Sequence, residues 1–189
     1  MFAYKLLFLN VFFAVLCVGC AARQPIVLQP GGFEVKGKLA VKDAQENFSA
    51  RFHWRQTGDR FQIDLWGPLG QGRVQLKGSA DQIALLDGAG QVVIEGSQEE
   101  VMRAQLGWSM PLAVFPAWLR GEPKSGLPAA DLQRDAVGLV RSFRQLGWLI
   151  SYEQYRAVET ASEMRTLPRK LSAANGATRV RIVISEWRI

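Results

Sequence analysis

Apolar and polar residues alternate from Phe33 onward, and this alternation constrains the fold more than any other feature of the chain. One set of alternate positions in the first segment is Phe33, Val35, Gly37, Leu39 and Val41. The charged residues between them are Glu34, Lys36, Lys38 and Lys42. Successive side chains of a strand point to opposite faces, so this period of two predicts an antiparallel strand with one buried and one solvated face.

Further segments repeat the pattern, and Gly, Asp or Ser residues separate them. They are NFSARFHWRQ, RFQIDLW, RVQLKG, QIALLDG and QVVIEG. In NFSARFHWRQ the alternation puts Phe52 and Trp54 on the inner face and His53 on the outer one, where a solvated imidazole is expected. In RFQIDLW it puts Asp64 on the polar face. Consecutive strands with short turns predict a meander that curls.

Two helices are predicted to follow this meander. Ser97 and Glu100 form a capping box, in which each side chain accepts a hydrogen bond from the other residue's free backbone amide. The second helix is predicted from Met110 to Gly121, with a kink or two short turns at Pro116. Strands resume in FRQLGWLISYEQYRA, LPRKLSAA and TRVRIVISEWRI. A meander, then helices, then strands is the order of an α+β fold.

The N-terminal segment has the features of a secretory signal. Lys5 precedes an apolar run over Leu6–Val18, and Gly19-Cys20 follows the run. A small residue directly before a cysteine at this point resembles the signal of bacterial lipoproteins, in which Cys20 is lipidated and becomes the first mature residue. An ordinary secretory leader, cleaved near Ala21 or Ala22, is the alternative.

These features predict three regions. Residues 1–19 form a lipoprotein signal peptide, residues 20–32 a lipidated tether, and residues 33–189 a single β-barrel-like domain. A segment of this length is enough for one domain with a substantial core. The covalent groups expected on Cys20 are a diacylglycerol and an N-acyl chain, and no other cofactor is expected.

Composition argues against several chemistries. Both cysteines, Cys17 and Cys20, lie in the leader, so no disulfide is predicted in the mature domain. His53 is the single histidine, which makes a histidine-rich metal site or a Ser-His-Asp triad improbable. No phosphate-binding glycine motif is present. The net charge of +6 is spread along the chain, so no nucleic-acid partner is predicted.

The stretch WGPLGQG, residues 66–72, predicts a tight loop with an apolar side chain at its tip. Glycine adopts backbone angles that other residues avoid and proline fixes its own φ, so the stretch is typical of a solvent-facing turn. Leu69 then either folds back onto the core or stays exposed for a purpose.

Several long segments together resemble the LolB family of outer-membrane lipoproteins. They are FEVKGKLAV, FHWRQTGDRFQIDLWGPLGQG, SMPLAVFPAWLRG, QLGWLISYEQY, LPRKL and VRIVISEW, together with the signal ending in Cys20. The similarity covers essentially the whole chain. It implies that residues 33–189 are a lipoprotein-binding domain with an α+β fold, in which helices cover a half-open, curled antiparallel β-barrel with a hydrophobic cavity.

The resemblance also implies a function. The protein would be lipid-anchored in the outer membrane, face the periplasm, and act as a monomer and not as an enzyme. It would accept acylated lipoproteins from a periplasmic carrier of the LolA type and insert them into the inner leaflet. In the family a loop leucine delivers the lipid to the membrane, and this role maps onto Leu69, with Pro68 and Gly70 beside it.

Four residues are predicted to line the acyl-chain cavity: Trp54, Leu65, Trp118 and Trp148. Large rings cover much area at little cost in rotamer entropy, which suits a lipid-binding wall. The alternative for each is that it fills a solid core.

Two other functions remain open on the sequence. An outer-membrane lipoprotein of this shape could bind free lipid or another hydrophobic ligand and deliver no protein. A lipid hydrolase would need a nucleophile beside a base, but neither a G-x-S-x-G motif nor a second histidine is present. Arg51, Arg55 and Arg60 either contact an acidic rim of the carrier or are ordinary solvated strand residues.

Overall fold

The dominant feature of the computed structural model is one antiparallel sheet of 11 strands. The structure describes residues 31–44, 47–79, 81–106, 109–160 and 162–189. The predicted signal peptide and Cys20 lie outside the described residues. The boundaries predicted at residues 19 and 32 stay predictions.

The first six strands form the N-terminal half of the sheet, and two helices follow them. The strands are β1 (Phe33–Lys42), β2 (Asn47–Thr57), β3 (Arg60–Trp66), β4 (Val74–Gly78), β5 (Ile83–Leu86) and β6 (Val92–Gly96). The helices are α1 (Gln98–Leu106) and α2 (Phe115–Leu119). The C-terminal half contains β7 (Ala130–Arg134), β8 (Val140–Gln145), β9 (Trp148–Glu159), β10 (Met164–Asn175) and β11 (Thr178–Arg188).

The strand order brings the first and last strands together in the middle of the sheet. It runs β6-β5-β4-β3-β2-β1-β11-β10-β9-β8-β7, so β6 and β7 are the two edges and the sheet is not closed. The segment between those edges, residues 97–129, contains both helices. The prediction of an open antiparallel sheet with few helices is confirmed. Among the described residues, no helix is long and apolar enough to cross a membrane.

Alternation of burial along the strands places the core on one face of the sheet. In β1, Phe33 and Val35 are almost completely buried, while Lys38 and Lys42 are exposed. In β11, Val180, Ile182 and Ile184 are buried and the residues between them are exposed. The predicted period of two therefore corresponds to an inner apolar face and an outer polar face.

The helices partly match their predictions. The capping box is confirmed, because the Ser97 amide donates to Glu100 Oε2 at 3.0 Å and the Glu100 amide donates to Ser97 Oγ at 3.4 Å. The second helix is much shorter than predicted and begins only at Phe115. Pro116 lies in its first turn, where the missing amide proton has no helical partner to lose.

The C-terminal half differs from its prediction in two features. β7 was not predicted, because its residues ADLQR are all exposed and carry no buried alternating face. The segment FRQLGWLISYEQYRA contains two strands, β8 and β9, joined at Leu146-Gly147. Leu146 has φ +52° and Gly147 has φ +77°, a left-handed pair that turns the chain.

Candidate functional site

An apolar pocket lies on the inner face of the N-terminal half of the sheet. Its empty volume is about 570 Å³, part of which opens to solvent. Strand residues in its lining are Leu39, Val41, Phe48, Phe52, Trp54, Ile63, Leu65, Leu76, Val180 and Ile182. Residues of the helical segment in its lining are Met102, Met110, Leu112, Phe115 and Leu119. Every lining residue is apolar, so the pocket offers a ligand no specific polar partner.

One polar side chain joins the two parts of the helical segment. Gln98, at the start of α1, donates through Nε2 to the carbonyl of Met110 and accepts at Oε1 from the Leu112 amide at 3.1 Å. These two bonds hold residues 110–112 against the first turn of α1. Sequence reasoning missed Gln98, because the residues it binds lie 12 and 14 positions away.

A row of aromatic rings connects the pocket to the rest of the core. Trp54 in the pocket wall stacks on Phe115, with centroids 5.8 Å apart and planes at 4°. Phe115 meets Trp118 edge to face at 5.7 Å, and Trp118 lies 6.4 Å from both Phe143 and Trp148. Such offset and edge contacts add stability beyond the buried area. The row therefore passes from β2 through α2 to β8 and β9.

The four residues predicted to line a cavity have two kinds of surroundings. Trp54 and Leu65 belong to the lining of the apolar pocket. Trp118 is fully buried and Trp148 is nearly so, and neither is part of that lining. A role in binding acyl chains stays a prediction for all four.

Gln145 anchors the indole of Trp118 in the C-terminal half. Its Oε1 accepts hydrogen bonds from Trp118 Nε1 and from the Lys124 amide, both at 2.9 Å. Its Nε2 donates to the carbonyls of Lys124 and Leu127. The Tyr152 hydroxyl donates to the Trp118 carbonyl at 2.7 Å, and burial raises the pKa of that phenol. Trp118 is thus held from both its ring and its backbone.

The loop between β3 and β4 presents Leu69 to solvent. Its side chain is 86% exposed. The Gly67 amide donates to the Gln71 carbonyl at 2.8 Å, and the Gly70 amide donates to the Gly67 carbonyl at 2.9 Å. Gly70 has φ +80°, a conformation that a side chain would strain. The loop is therefore a closed tight turn, and Leu69 does not fold back onto the core. The function of Leu69, Pro68 and Gly70 stays a prediction.

Asp64, on the outer face of β3, is buried under polar side chains. It is only 1% exposed, although alternation predicted an ordinary position on the polar face. Its Oδ2 accepts from Arg55 Nη2 at 2.8 Å and from Gln62 at 3.2 Å. Its Oδ1 accepts from Gln75 at 2.6 Å and from Arg73 at 3.4 Å. Long side chains from β2, β3 and β4 cover the carboxylate, and a one-strand pattern could not reveal this.

These contacts decide the protonation of Asp64. Burial raises the pKa of its carboxyl, but the hydrogen bonds from Gln75, Gln62 and Arg55 and the charge of Arg55 outweigh burial and hold the pKa below its ordinary value. The carboxylate therefore stays ionised. Since both of its oxygens are engaged with neighbouring strands on the face opposite the pocket, the network is suited to a structural role.

His53 is not a freely solvated imidazole, contrary to its prediction. It is half-buried, and its Nε2 lies 2.7 Å from Glu34 Oε1. Glu34 also lies 3.5 Å from Lys36. Burial raises the pKa of Glu34, but the His53 contact and the charge of Lys36 outweigh it and the pKa is lowered. In the part of the chain that the structure describes, no group of three His, Cys, Asp or Glu residues could hold a metal ion.

Comparison with known proteins gives one consistent family. A family model described as outer membrane lipoprotein LolB matches residues 31–187. Outer-membrane lipoprotein LolB of Cellvibrio japonicus is 30% identical over 184 residues, with 91% of each chain covered. That of Nitrosococcus oceani is 34% identical over 157 residues, which cover 83% of this chain and 76% of the relative.

The solved structures support the fold. A LolA superfamily protein from Nitrosomonas europaea has a TM-score of 0.50 to this chain at 12% identity. The match covers 84% of this chain and 86% of the other. At this identity the similarity concerns the arrangement of the sheet only.

Proposed function

Because the chain belongs to the LolB family of outer-membrane lipoproteins, we propose that it receives acylated lipoproteins in its apolar pocket and inserts them into the outer membrane. The donor is a periplasmic carrier of the LolA type, and the acceptor is the inner leaflet. The protein is held at that membrane by acyl chains on Cys20 and works as a monomer.

The all-apolar lining of the pocket is the observation that carries this proposal. Each CH₂ of a lipid anchor that leaves a membrane for water costs about 0.8 kcal/mol, so the chains of a lipoprotein must be shielded throughout their transfer. A lining without polar side chains binds such chains by burial alone and does not select one headgroup or one polypeptide. This property suits a protein that handles many lipoproteins.

Loading requires the pocket to widen. Part of its empty space of about 570 Å³ is open solvent, so the enclosed space is smaller than this. Several acyl chains need more space than the enclosed part provides. The part of the helical segment that can move is residues 98–106 and 109–112, because none of them pairs with a strand of the sheet, whereas α2 and residues 124–127 are bonded to β8 and β9 through Gln145 and Tyr152. Met102 and Met110 lie on this segment, and their flexible side chains adapt to chains of different shape.

Transfer in one direction needs only a gradient of affinity. If the pocket binds acyl chains more tightly than the carrier does and less tightly than a bilayer, each step is favourable without nucleotide hydrolysis.

Leu69 acts at the release step. Its exposed side chain at the tip of a closed loop enters the lipid interface, where full burial is worth roughly 1.5 to 3 kcal/mol. That energy is too small to anchor the protein but large enough to favour one orientation at the membrane. A charge at the same position opposes this contact.

The test is transfer of an acylated lipoprotein from a loaded carrier to this protein and then to vesicles. We expect Leu69→Glu to accept cargo normally and to lose most of the insertion into vesicles. Val137→Glu is the matched control, since Val137 is 80% exposed in the turn between β7 and β8, at the opposite end of the sheet. Normal insertion by Leu69→Glu would refute the role of the loop. Copurification of free lipid without acylated polypeptide would favour a general lipid-binding protein instead.

A further inference from the structure

We propose that five basic residues on the outer face of the sheet bind anionic phospholipid headgroups and set the orientation of the protein at the membrane. We call this surface the basic face. Its residues are Lys38 and Lys42 on β1, Arg51 on β2, and Arg179 and Arg181 on β11. This inference rests on the proposed function, because it concerns the same membrane contact that Leu69 makes.

The basic face is continuous across three neighbouring strands. Lys38 lies opposite Arg51, Lys42 lies opposite Arg179, and Arg181 pairs with Ala40 between the two lysines. All five basic residues are exposed. Cross-strand neighbours on one face lie about 5 Å apart, so the cations form one cluster and are not scattered.

The cations of the basic face lack ion pairs within the described part of the chain. The ion pairs of the described residues include none of the five, whereas Lys36, earlier on β1, pairs with Glu34 and Glu186. The carboxylate of Asp43, next to Lys42, accepts a hydrogen bond from the Thr178 hydroxyl. Like charges placed opposite each other destabilise a sheet, so an uncompensated cluster carries a cost in stability. An anionic partner would remove that cost.

The basic face and the Leu69 loop lie at the same end of the sheet. Trp66, three residues before Leu69, is opposite Arg51. Lys42 and its partner Arg179 lie four residues beyond the level of Arg51 in the same direction. A strand rises about 3.3 Å per residue and strands are about 4.8 Å apart, so the loop tip and this pair reach similar heights and are separated by roughly 10 to 15 Å.

This placement favours a membrane over an acidic protein as the partner. When Leu69 enters the lipid interface, Lys42 and Arg179 reach the level of the headgroups. Arg181 lies two residues farther from the membrane, about 7 Å, which is still within a Debye length of the headgroups. The small residues Ala40 and Ser49 lie between the cations, so no bulky side chain separates the cations from a flat membrane surface.

A groove at the same rim lies beside the apolar pocket and shares two wall residues with it. Lys42, Arg179 and Arg181 line this groove, and Val41 and Phe48 belong to the linings of both the groove and the pocket. A headgroup phosphate on the arginines would therefore lie near the part of the pocket wall that Val41 and Phe48 form. The basic face thus holds the pocket next to the membrane that receives the cargo.

The experiment uses the lipidated full chain in vesicles of phosphatidylcholine alone or of equimolar phosphatidylcholine and phosphatidylglycerol. An environment-sensitive dye on Ala177→Cys, in the exposed turn between β10 and β11, reports contact of this rim with the bilayer. We expect a blue shift of the dye only with phosphatidylglycerol, and we expect about 1 M salt to abolish it.

Each basic side chain near an anionic surface changes the contact equilibrium about fivefold. We therefore expect Arg179→Gln with Arg181→Gln to weaken the contact by about 25-fold. The matched control is Arg60→Gln with Arg141→Gln, two exposed arginines at the opposite end of the sheet, which should behave as the unsubstituted chain.

Equal emission in both vesicle types, or an unchanged shift in the Arg179 and Arg181 variant, would overturn the inference. The Arg179→Gln, Arg181→Gln variant could also keep the dye shift but accept cargo from the carrier more slowly. The basic face would then bind an acidic protein, and this result would likewise overturn the inference. If cargo enters both vesicle types without any shift, only this inference fails. If cargo enters neither while the dye still shifts, the proposed function fails and lipid binding by the basic face stands.

Discussion

The two halves of the sheet are stabilised in different ways. Inside the N-terminal half, strands β1 to β4, together with β11 and the helical segment, border a narrow apolar pocket, whose empty space of about 570 Å³ is partly open to solvent. Inside the C-terminal half, Trp118 contacts Phe143 and Trp148, and Gln145 binds its indole nitrogen. The same kinds of aromatic residue therefore border a space in one half and fill the interior in the other.

Hydrogen bonds on the outer face stabilise the half of the sheet that contains the pocket. Asp64 joins β2, β3 and β4 through Arg55, Gln62 and Gln75 on the face opposite the pocket. A wall that packs loosely inside loses dispersion contacts, and a fully satisfied buried polar network can restore rigidity. The wall of an apolar pocket can therefore be kept in shape from outside while its inner surface stays unfilled.

The largest effect is expected from Trp118→Ala, which should cost about 5 kcal/mol of unfolding free energy because the surrounding core cannot collapse around the void. Trp54→Ala, the same change in the pocket wall, should cost about 3 kcal/mol, because Trp54 already borders empty space. Urea unfolding followed by circular dichroism measures both. Equal losses would show that the two halves are packed alike.

A smaller loss is expected from Asp64→Asn, about 2 to 3 kcal/mol near neutral pH, since Arg55 is left without its partner. The pKa of Asp64 is lower in the folded than in the unfolded chain, so its stabilisation is complete above the unfolded value of about 3.9 and is lost as pH falls through the folded value. The two proteins should therefore become more similar on acidification. Denaturant titrations from pH 7 to pH 3 test this, and a constant difference would contradict it. Glu163→Gln, at an exposed ion pair, is the control.

The smallest change in stability is expected from Leu65→Phe, which adds volume to the pocket wall and should cost less than about 1.5 kcal/mol. Uptake of a fluorescent acyl probe should nevertheless fall by about tenfold, because the added ring occupies the space that the probe needs. Leu127→Phe, outside the pocket lining, should leave uptake unchanged. Undiminished uptake by Leu65→Phe would argue against binding of acyl chains in this pocket.

Several elements could be predicted because their signals are local. The capping box needs only Ser97 and Glu100 at the right spacing, and the exposed Leu69 loop needs only its glycines and proline. β7 could not be predicted, since an edge strand with both faces exposed has no alternation and is specified by pairing with β8 alone. The length of the second helix could not be predicted either, because its apolar spacing continues through a turn that Gln98 binds.

The sequence predicted that the candidate site would be lined by large apolar residues, but not which of these residues border the pocket. Trp54, Leu65, Trp118 and Trp148 look equivalent in sequence, yet two border the pocket and two pack in the core. Which of them borders a space depends on the path of the helical segment across the sheet, and no local pattern encodes that path.

The sequence by itself determined the faces of the strands, the loop that exposes Leu69 and the family of the chain, since each of these is a relation between neighbouring residues or a long run of matching ones. Only the tertiary structure decided where the pocket lies, how Asp64 is buried, and that five cations from β1, β2 and β11 form one surface. The physical reason is that pairing of β1 with β11 brings together residues almost a whole chain apart, and their packing and charge exist only once that pairing has formed.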